Sequence, residues 1–565
     1  MRICAPVQSR PFDIAAAIRD AVGLHRQGRL REAEKLYARV LKAAPAHFDA
    51  LHLLGLCKAQ GGHMGEAHRL MSAALKINAQ APDAWMNFAN VLHALKRDGE
   101  ALAAIDRALA LRPGDPDALH SRGSALLSLN RPQEALAAFD AVLAHNPRHR
   151  DVLINRGTAH AALGKIAEAL ADFDAALAVE PGHARALYNR GNALSDLGHY
   201  EEAIAAFDGA LATAPNHVHS LNNRGRALQA LNRHRAAVES FDKAIALQKD
   251  YADAHSNCAL SLLTLGELAR GFAEYEWRWQ RTGMSDERRG YRGGLWLGEF
   301  SLARMTILLH AEQGLGDSIQ FARYVPLLAQ SGAKVVLEVQ PALKDLFATL
   351  PGVASVCTRG EPLPAYDVHC PLGSLPLALR TEPSTIPANI PYLHADEARI
   401  AKWRPALEGL PGKRVALAWA GNPGHANDRN RSVDLKLLEP LLALDGVSFV
   451  SLQRDLRSGD AEWLAHHPQV RQLGGELADM ADTAAVLALA DLLIAVDTAA
   501  VHVAGAIRRP VWVMLPFSPD WRWTQSGASS PWYPQARLFR QPALGDWPGA
   551  IAAICEALAR FVAEA

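Results

Sequence analysis

The chain has 565 residues, with 59 lysines and arginines against 59 aspartates and glutamates, and 49% of its residues are hydrophobic. This length exceeds what one hydrophobic core supports, so three or four domains are expected. The balanced charge argues against a nucleic-acid partner, and the six cysteines lack the C-x-x-C or C-x-x-H spacing of a zinc site.

Residues 1–13 form an N-terminal segment, MRICAPVQSRPFD, that precedes the first regular pattern. It lacks the apolar core of a signal peptide, and no apolar run in the chain approaches the ~20 residues needed to cross a bilayer. These features predict a cytoplasmic protein without a membrane span.

Residues 14–281 repeat with a period of 34, which is the period of tetratricopeptide repeats (TPRs). Each repeat places a small residue such as Gly157 where two helices must approach closely, and a large apolar residue such as Phe173 later in the unit. The pattern predicts about eight helix pairs that stack into an all-α superhelix with a concave groove. Prolines mark the period at Pro45, Pro113, Pro147, Pro181 and Pro215.

A second repeated feature is a polar residue at a constant position of the groove-lining helix. Amides at this spacing can hold the backbone of an extended peptide whatever its sequence. The alternative is that they are solvated residues of the repeat consensus. The asparagines of this ladder are Asn87, Asn155, Asn189, Asn223 and Asn257.

Two charged series follow the same period. Their regularity favours salt bridges between helices, with recognition of acceptor side chains as the alternative. The arginines are Arg122, Arg156, Arg190 and Arg224, and the aspartates are Asp140, Asp174, Asp208 and Asp242.

The composition changes after the repeats, since eleven of the twelve tryptophans lie at or beyond Trp277. Residues 282–304 are predicted to be a linker. Residues 305–395 and 396–565 each alternate short apolar strands with helical segments, which predicts two α/β lobes with parallel sheets. Such sheets bind ligands at the carboxyl ends of their strands, so a cleft between the lobes is the expected site.

The first lobe opens with HAEQGLGD, a glycine loop after a strand. Gly314 and Gly316 superficially resemble a dinucleotide fingerprint, but Ile319 occupies the third glycine position and Asp317 would face a pyrophosphate with a negative charge. A dehydrogenase is therefore not expected. The glycines would instead let a ligand approach the backbone next to Gln313.

Two residues of this loop are candidate bases. Asp317 is either a carboxylate base at the cleft or the N-cap of the next helix, with Gln320 completing a capping box. His310, at the end of the strand, is a rival base because imidazole titrates near neutral pH, or else a core histidine.

In the second lobe, LLIAVDTAAVHVAGA runs from a buried strand into a helix. Asp497, Thr498 and Ala499 fall where the strand ends and the helix begins, and His502 lies one turn later. The free N–H groups and dipole of a helix N-terminus favour an anion such as a diphosphate. The alternative is that these residues cap and pack the helix.

Other strand ends of the second lobe offer matching chemistry. The segment AGNPGHANDRNRS contributes Asn422, Arg429 and Arg431, and SLQRD contributes Gln453. No D-x-D pair occurs after residue 260, so no metal site is expected. Arg431, His502 and helix dipoles would then meet the charge of a departing diphosphate.

Four segments together resemble a known family: HAEQGLGDSIQFARYVPLL, WAGNPGHANDRNRS, DMADTAAVLALADLLIAVDTAAVHVAGAIRRPVWVMLP and DWRWTQSGASSPWYP. They resemble the catalytic half of bacterial TPR glycosyltransferases of the GT-B fold, which consists of two Rossmann-like domains. These are related to heptosyltransferases and, more distantly, to O-GlcNAc transferases. The resemblance implies inverting, metal-independent transfer of a sugar from a nucleotide donor.

The resemblance also implies roles for individual residues. Asp317 matches the proposed general base, and Asp497, Thr498 and His502 match a segment that binds the donor diphosphate. Asp482 and Thr483 match a segment on the nucleotide side of the cleft. The lysine that O-GlcNAc transferases use against the phosphates is absent, which leaves Arg454 or Arg431 for that charge and the donor nucleotide open.

We therefore expect a protein O-glycosyltransferase that modifies Ser or Thr of an acceptor held in the TPR groove, with a nucleotide sugar as co-substrate and no further cofactor. Flagellin is a candidate acceptor, because some bacterial relatives with this layout modify it. The alternatives are a non-catalytic TPR scaffold with a degenerate nucleotide-binding module and a glycosyltransferase acting on a glycolipid. Homo-oligomerisation is left open.

Overall fold

The computed structural model describes residues 12–281, 290–425 and 427–564. Residues 1–11 of the predicted N-terminal segment, residues 282–289 of the predicted linker, Ala426 and Ala565 lie outside these ranges. The chain divides into two compact units, one ending at Pro215 and the other beginning at Asn216.

The first unit is built from helix pairs of the TPR type. Side chains such as Asp115 and His149 accept hydrogen bonds from N–H groups of the following first turn, which fixes where these helices begin. Its helices are α1 Ile14–Arg26, α2 Leu30–Ala43, α3 Phe48–Gln60, α4 Met64–Ile77, α5 Pro82–Ala94, α6 Asp98–Leu111, α7 Pro116–Ser128, α8 Pro132–His145, α9 Arg150–Ala162, α10 Ile166–Val179, α11 Ala184–Asp196 and α12 Tyr200–Thr213.

The glycines of the repeat mark where two helices approach closely, as predicted, and the close neighbour of each glycine is a phenylalanine ring. A Cβ on Gly157 would lie 2.6 Å from the ring of Phe173, and a Cβ on Gly191 would lie 2.6 Å from Phe207. Both rings are fully buried. A larger residue than glycine would therefore push the two helices of a pair apart.

The predicted salt bridges between helices are present in the first unit. Arg156 lies 2.8 Å from Asp140, and Arg190 lies 2.7 Å from Asp174. Each pair joins the first helix of one repeat to the second helix of the repeat before it. The aspartates are more than half exposed, so each bridge contributes at most about 1 kcal/mol.

The second unit begins with four further repeat helices and continues into the sheets. The helices are α13 Val218–Ala230, α14 His234–Leu247, α15 Ala252–Thr264 and α16 Leu268–Tyr275, followed by a 3₁₀ turn, Glu276–Gln280. The described part of residues 14–281 thus contains sixteen helices, in agreement with the eight predicted pairs.

The first sheet has five parallel strands in the order β1-β5-β2-β3-β4. Its edge strand β1 lies inside the predicted linker and pairs with β5. The strands are β1 Gly294–Leu295, β2 Thr306–His310, β3 Lys334–Val339, β4 Val353–Thr358 and β5 Val368–Pro371. The helices between them are α17 Leu315–Phe321, α18 Val325–Gln330, α19 Lys344–Phe347 and α20 Leu375–Ala378.

The second sheet has six parallel strands in the order β11-β10-β9-β6-β7-β8, so the predicted parallel sheets are confirmed. The strands are β6 Lys413–Ala418, β7 Val447–Ser451, β8 Val470–Gln472, β9 Leu492–Val496, β10 Val511–Leu515 and β11 Ala536–Arg540. The helices are α21 Glu397–Leu407, α22 Asp428–Arg431, α23 Glu439–Leu442, α24 Asp460–Ala465, α25 Met480–Leu489, α26 Ala499–Ala506 and α27 Trp547–Ala563.

One apolar core runs through the second unit, from the last repeat helices to both sheets. Phe272 of α16 contacts Trp521, with ring centroids 5.7 Å apart, and Trp532 is also buried there. The tryptophan-rich segment after β10 therefore covers an edge of the core. Among the described helices, none is long and apolar enough to cross a membrane.

Candidate active site

The N-terminus of α26 lies at the carboxyl end of β9 and is only half-buried. Thr498 occupies the N-cap position, but its side chain does not cap the helix. The Oγ1 atom of Thr498 is buried without a hydrogen-bond partner. In the described ranges the N–H groups of Ala499 and Ala500 also lack an acceptor. This helix end therefore offers free donors to an anion, and Thr498 does not have the capping role considered from sequence.

His502 lies beneath this helix end and carries no positive charge. It is 4% exposed, and its Nδ1 atom forms a 2.9 Å hydrogen bond with the Tyr533 hydroxyl. Burial, assisted by the positive charges of Arg522 and Arg323, holds the pKa of His502 well below its usual value. His502 would therefore contact a diphosphate as a neutral group, without adding a positive charge.

Helix packing explains why one position of the Q-G-L-G-D loop, Gly316, is a glycine. A Cβ at this position would lie 2.6 Å from Cδ2 of His502, so glycine lets α17 approach α26 closely. From the sequence, both glycines were expected to let a ligand approach the backbone. For Gly316 the close neighbour is the protein itself, whereas Gly314 is exposed at the N-cap of α17.

Asp317 lies in the first turn of α17, because this helix begins at Leu315, earlier than predicted. The carboxylate accepts a 3.1 Å hydrogen bond from the Gly314 N–H, which is the second half of a capping box. Asp317 is therefore not the N-cap. Gln320 does not complete a box either, since it is buried and accepts from Arg522.

Arg522 is a central residue of the site that was not predicted from the sequence. Its guanidinium donates to Asp317 and Gln320 of α17 and, at 2.8 Å, to Asp520. Burial alone would lower the pKa of Arg522, but Asp520 and Asp317 outweigh burial and raise it. Arg522 thus joins the segment after β10 to the helix that carries Asp317. The only local feature of the sequence that could have indicated its role is its position between two tryptophans.

Asp497 is a carboxyl group in an unusual environment at the same helix end. Its side chain is 15% exposed. Burial and the nearby charge of Asp520 raise the pKa of Asp497 to about 6, although Arg522 and Arg431 act in the opposite direction. This group is therefore able to exchange a proton near neutral pH.

The strand ends of β6 and β7 bring some predicted residues to the site and not others. Arg431 donates a 3.3 Å hydrogen bond to the Asp497 carbonyl, and its Nε atom has no hydrogen-bond partner. Arg429 is exposed, and Asn422 accepts a hydrogen bond from the Gly424 N–H within the same exposed loop. Of these residues, Arg431 contacts the end of β9.

Gln453 holds two loops together. Its Oε1 atom accepts from the N–H groups of Trp419 and Ala420, and its Nε2 atom donates to the carbonyls of Ala420 and Asp455. These four bonds use the whole hydrogen-bonding capacity of the amide. We therefore assign Gln453 a structural role in place of nucleotide binding.

Asp482 and Thr483 also make structural contacts. Burial would raise the pKa of Asp482, but hydrogen bonds that include those from Arg399 and Lys402 of α21 outweigh burial and lower it to about 2. Thr483 is buried and donates to the Asp479 carbonyl at 3.3 Å. The Asp482 carboxylate therefore binds α25 to α21, and the place of both residues on the nucleotide side of the cleft stays a prediction.

His310 and Gln313 lie in two different clusters. His310 is buried, stacks on Tyr291 with ring centroids 4.1 Å apart, and lies 3.2 Å from His369. Gln313 hydrogen bonds the hydroxyl of Tyr275, the last residue of α16, at 2.6 and 2.9 Å. His310 therefore has the surroundings of a core histidine, and Gln313 connects the glycine loop to the last repeat.

A second residue that was not predicted from the sequence is His425, in the loop after β6. Burial and the charge of Arg431 lower the pKa of His425, while Asp520 and Asp317 oppose the shift. The imidazole is therefore within electrostatic range of the residues around Arg522. Its place in a loop of small polar residues gave no signal in the sequence.

The asparagine ladder is half-buried and partly hydrogen bonded. In the first unit, Nδ2 of Asn87 lies 3.1 Å from His52 and Nδ2 of Asn155 lies 2.9 Å from His120. Asn189 donates to Thr158 at 3.3 Å, and in the second unit Asn257 donates to Asn222 at 3.0 Å. Asn223 also accepts a hydrogen bond, from Asn222. The amide nitrogens of the first four are thus used between repeats, which leaves their carbonyl oxygens for a ligand.

Comparison with protein families shows TPRs in the N-terminal region. Tetratricopeptide repeat models match residues 90–156, 154–218 and 222–286. A model described as anaphase-promoting complex, cyclosome, subunit 3 matches residues 26–108. The helix pairs described above are therefore TPRs by sequence as well as by structure.

Among individual proteins, Protein FlbA of Caulobacter vibrioides is 30% identical over 335 residues, covering 54% of this chain and 55% of FlbA. The chain thus spans about half the length of this relative. A TPR protein from Parabacteroides merdae is 19% identical with a TM-score of 0.38, covering 44% of this chain and 98% of that one. YrrB, a TPR protein with an unusual peptide-binding site, is 26% identical with a TM-score of 0.28, covering 33% and 95%.

Proposed function

We propose that this chain is an inverting, metal-independent glycosyltransferase of the GT-B type, which transfers a sugar from a nucleotide sugar to a Ser or Thr of a protein held by the TPRs. The observation that carries the proposal is the half-open N-terminus of α26, where Thr498 Oγ1 and two N–H groups lack acceptors. Buried donors without partners are costly unless a ligand satisfies them. The family resemblance supports a diphosphate as that ligand.

The proposed reaction places the acceptor hydroxyl next to Asp317. The hydroxyl oxygen attacks the anomeric carbon of the donor, its proton passes to Asp317, and the bond from that carbon to the diphosphate oxygen breaks. The nucleotide diphosphate leaves with the electron pair. Asp317 already accepts from Arg522 and Gly314, but a carboxylate has about four acceptor sites and keeps capacity for a proton.

The charge on the leaving diphosphate would be met by fixed donors. Arg431 lies against the end of β9, and the first N–H groups of α26 point out of the helix. Such preorganised donors usually contribute more to the rate than a general base, which is worth about 10² to 10⁴. With His502 neutral, Arg431 carries the positive charge of this clamp.

The TPRs would hold the protein acceptor. Helical repeats of this kind provide extended surfaces that bind protein partners. The ladder amides are oriented by bonds between repeats, so their free carbonyl oxygens can accept from backbone N–H groups of an extended peptide. Flagellin remains the candidate acceptor that the resemblance suggests.

The proposal is tested by incubating the purified full chain with UDP-, ADP- and CMP-linked sugars and measuring donor hydrolysis and transfer to flagellin. We expect hydrolysis with one donor class, reduced at least tenfold by Asp317→Asn and by Thr498→Val. Asp445→Asn is the matched control, because Asp445 is exposed in the turn before β7. No release with any donor, or equal release by all variants, would reject the proposal.

A second candidate, a non-catalytic scaffold, is favoured by one observation. Arg522 already pairs with Asp317, so the candidate base has a partner before any substrate arrives. In this case the chain would bind a nucleotide and a protein partner without turnover. Nucleotide binding by calorimetry, combined with no hydrolysis of any donor, would select this candidate.

A further inference from the structure

Asp497 is a buried acid without a cationic ion-pair partner. Its neighbour in ion-pair range is His502, whose Nε2 atom lies 3.7 Å from Oδ1 of Asp497. This histidine is neutral because its pKa is held low. Within the described ranges, no lysine or arginine pairs with the Asp497 carboxyl group. Arg431 contacts the backbone carbonyl of this residue in place of its side chain. Ionised Asp497 would therefore be a poorly compensated charge.

The other charges around Asp497 come from two elements. Asp520 and Arg522 lie on the segment after β10, and Asp317 of α17 lies behind Arg522 and pairs with it. Arg522 is shared between Asp317 and Asp520 and so cannot compensate a third carboxylate fully. The result of this balance is that burial and the charge of Asp520 raise the pKa of Asp497 to about 6.

Hydrogen-bond donors lie around the same carboxyl group. Trp523 is fully buried, and its indole N–H faces the Asp497 side chain, an interaction that opposes the rise in the pKa of this group. Thr498 Oγ1 and the first N–H groups of α26 are free. A buried hydroxyl without a partner next to an open helix end is an independent indication that an anion completes this site.

We infer that Asp497 takes up a proton when a diphosphate binds at the N-terminus of α26, so that the anion accepts a hydrogen bond from the neutral carboxyl group. The inference rests on the proposed function only for the choice of diphosphate as ligand. An ionised carboxylate here would repel the anion, whereas the neutral acid adds one donor to those of Thr498 and the helix. Binding and protonation of Asp497 are therefore linked.

This linkage has a measurable consequence. Once Asp497 is ionised in the free protein, each further pH unit lowers the affinity for a diphosphate about tenfold, because a proton must be bound first. Asp497→Asn keeps the shape, offers an N–H donor and does not titrate. The variant should therefore lose the part of the pH dependence that belongs to Asp497, while any part that comes from the ligand's own titration remains.

The experiment is isothermal titration of the full chain with UDP and with inorganic pyrophosphate at pH 6 and pH 8, in two buffers of different ionisation enthalpy. We expect the wild-type chain to lose at least tenfold more affinity between these pH values than Asp497→Asn, and to take up more protons per ligand at pH 8. Asp445→Asn, the exposed control, should behave as the wild type. If Asp497→Asn does not fold, Asp497→Ser takes its place in the comparison of pH dependence. The number of protons that the wild type takes up per ligand is then the second measurement.

Equal pH dependence in the wild type and Asp497→Asn, or no additional proton uptake by the wild type, would overturn the inference. So would the absence of binding of either probe at pH 6. Proton-linked binding in a chain that hydrolyses no donor would leave the inference standing and reject the proposed transfer alone.

Discussion

The guanidinium of Arg522 pairs with the carboxylate of Asp317, although the two residues are 205 positions apart in the chain. This bond connects the segment after β10 in the second sheet region to the first turn of α17 in the first. Asp520 and Gln320 share the same guanidinium. The position of the candidate base therefore depends on a residue from the other lobe.

Replacement of Arg522 by methionine should destabilise the chain and abolish transfer. The substitution leaves Asp317 and Asp520 without their shared cation in a partly buried setting, which we expect to cost about 2 to 4 kcal/mol of unfolding free energy. Arg522→Lys should recover part of the stability, since it keeps the charge but loses the planar fork. Urea denaturation measures both. Arg560→Met, at the exposed end of α27, should change stability by less than about 0.5 kcal/mol.

Gly316→Ala should disturb the contact between α17 and α26. The added Cβ would lie 2.6 Å from the buried ring of His502, which Tyr533 holds in place. We expect a loss of about 1 to 3 kcal/mol in stability from this overpacking, together with weaker UDP binding. Gly475→Ala is the control, because a Cβ there meets no atom within 4 Å. Unchanged stability and affinity in Gly316→Ala would contradict the packing role.

The stability of the chain should fall with rising pH because of Glu312. Burial raises the pKa of Glu312 from 4.5 to about 7, although the nearby Arg278 opposes the shift. The folded state therefore holds a proton that the unfolded chain releases, so this stabilisation is present below pH 4.5 and is lost as the pH rises through about 7. The linkage to this proton lowers the free energy of unfolding by up to about 1.4 kcal/mol per pH unit as the pH rises, and Glu312→Gln should abolish that dependence.

Urea denaturation at pH 5, 6 and 7 measures the effect of Glu312 as the difference between the wild type and Glu312→Gln. The matched control is Glu556→Gln, since Glu556 is exposed on α27. Parallel pH profiles for the wild type and Glu312→Gln would show that Glu312 does not bind a proton in this range.

Removal of the ladder amides should weaken acceptor binding more than it weakens the repeats. The triple substitution Asn87→Ala, Asn155→Ala and Asn189→Ala removes three half-exposed hydrogen bonds between repeats, each worth about 1 kcal/mol. It also removes three carbonyl acceptors from the groove. We expect at least a tenfold rise in KM for the protein acceptor with little change in donor hydrolysis. Asn146→Ala, in the turn after α8, is the control, and an unchanged KM would assign the ladder to structure alone.

The sequence by itself determined the architecture of this protein. The repeat of 34 residues predicts the helix pairs because Gly157 and Phe173 meet within one repeat, so the packing is encoded locally. The short apolar strands that alternate with helical segments predict the parallel sheets, because strands buried on both faces appear in the sequence as continuous apolar runs. The placement of Asp497 and Thr498 at a strand end followed by a helix was also visible, since the change of periodicity marks that boundary.

Only the tertiary structure decided what the polar residues of the second unit do. The side-chain amide of Gln453 is fully hydrogen bonded to backbone groups, and the Asp482 carboxylate binds two helices together. His502 is neutral because it is buried. Arg522 reaches Asp317 across the lobes. These outcomes depend on contacts between distant segments and on burial, which set hydrogen-bond partners and charge states and leave no periodic trace in the chain.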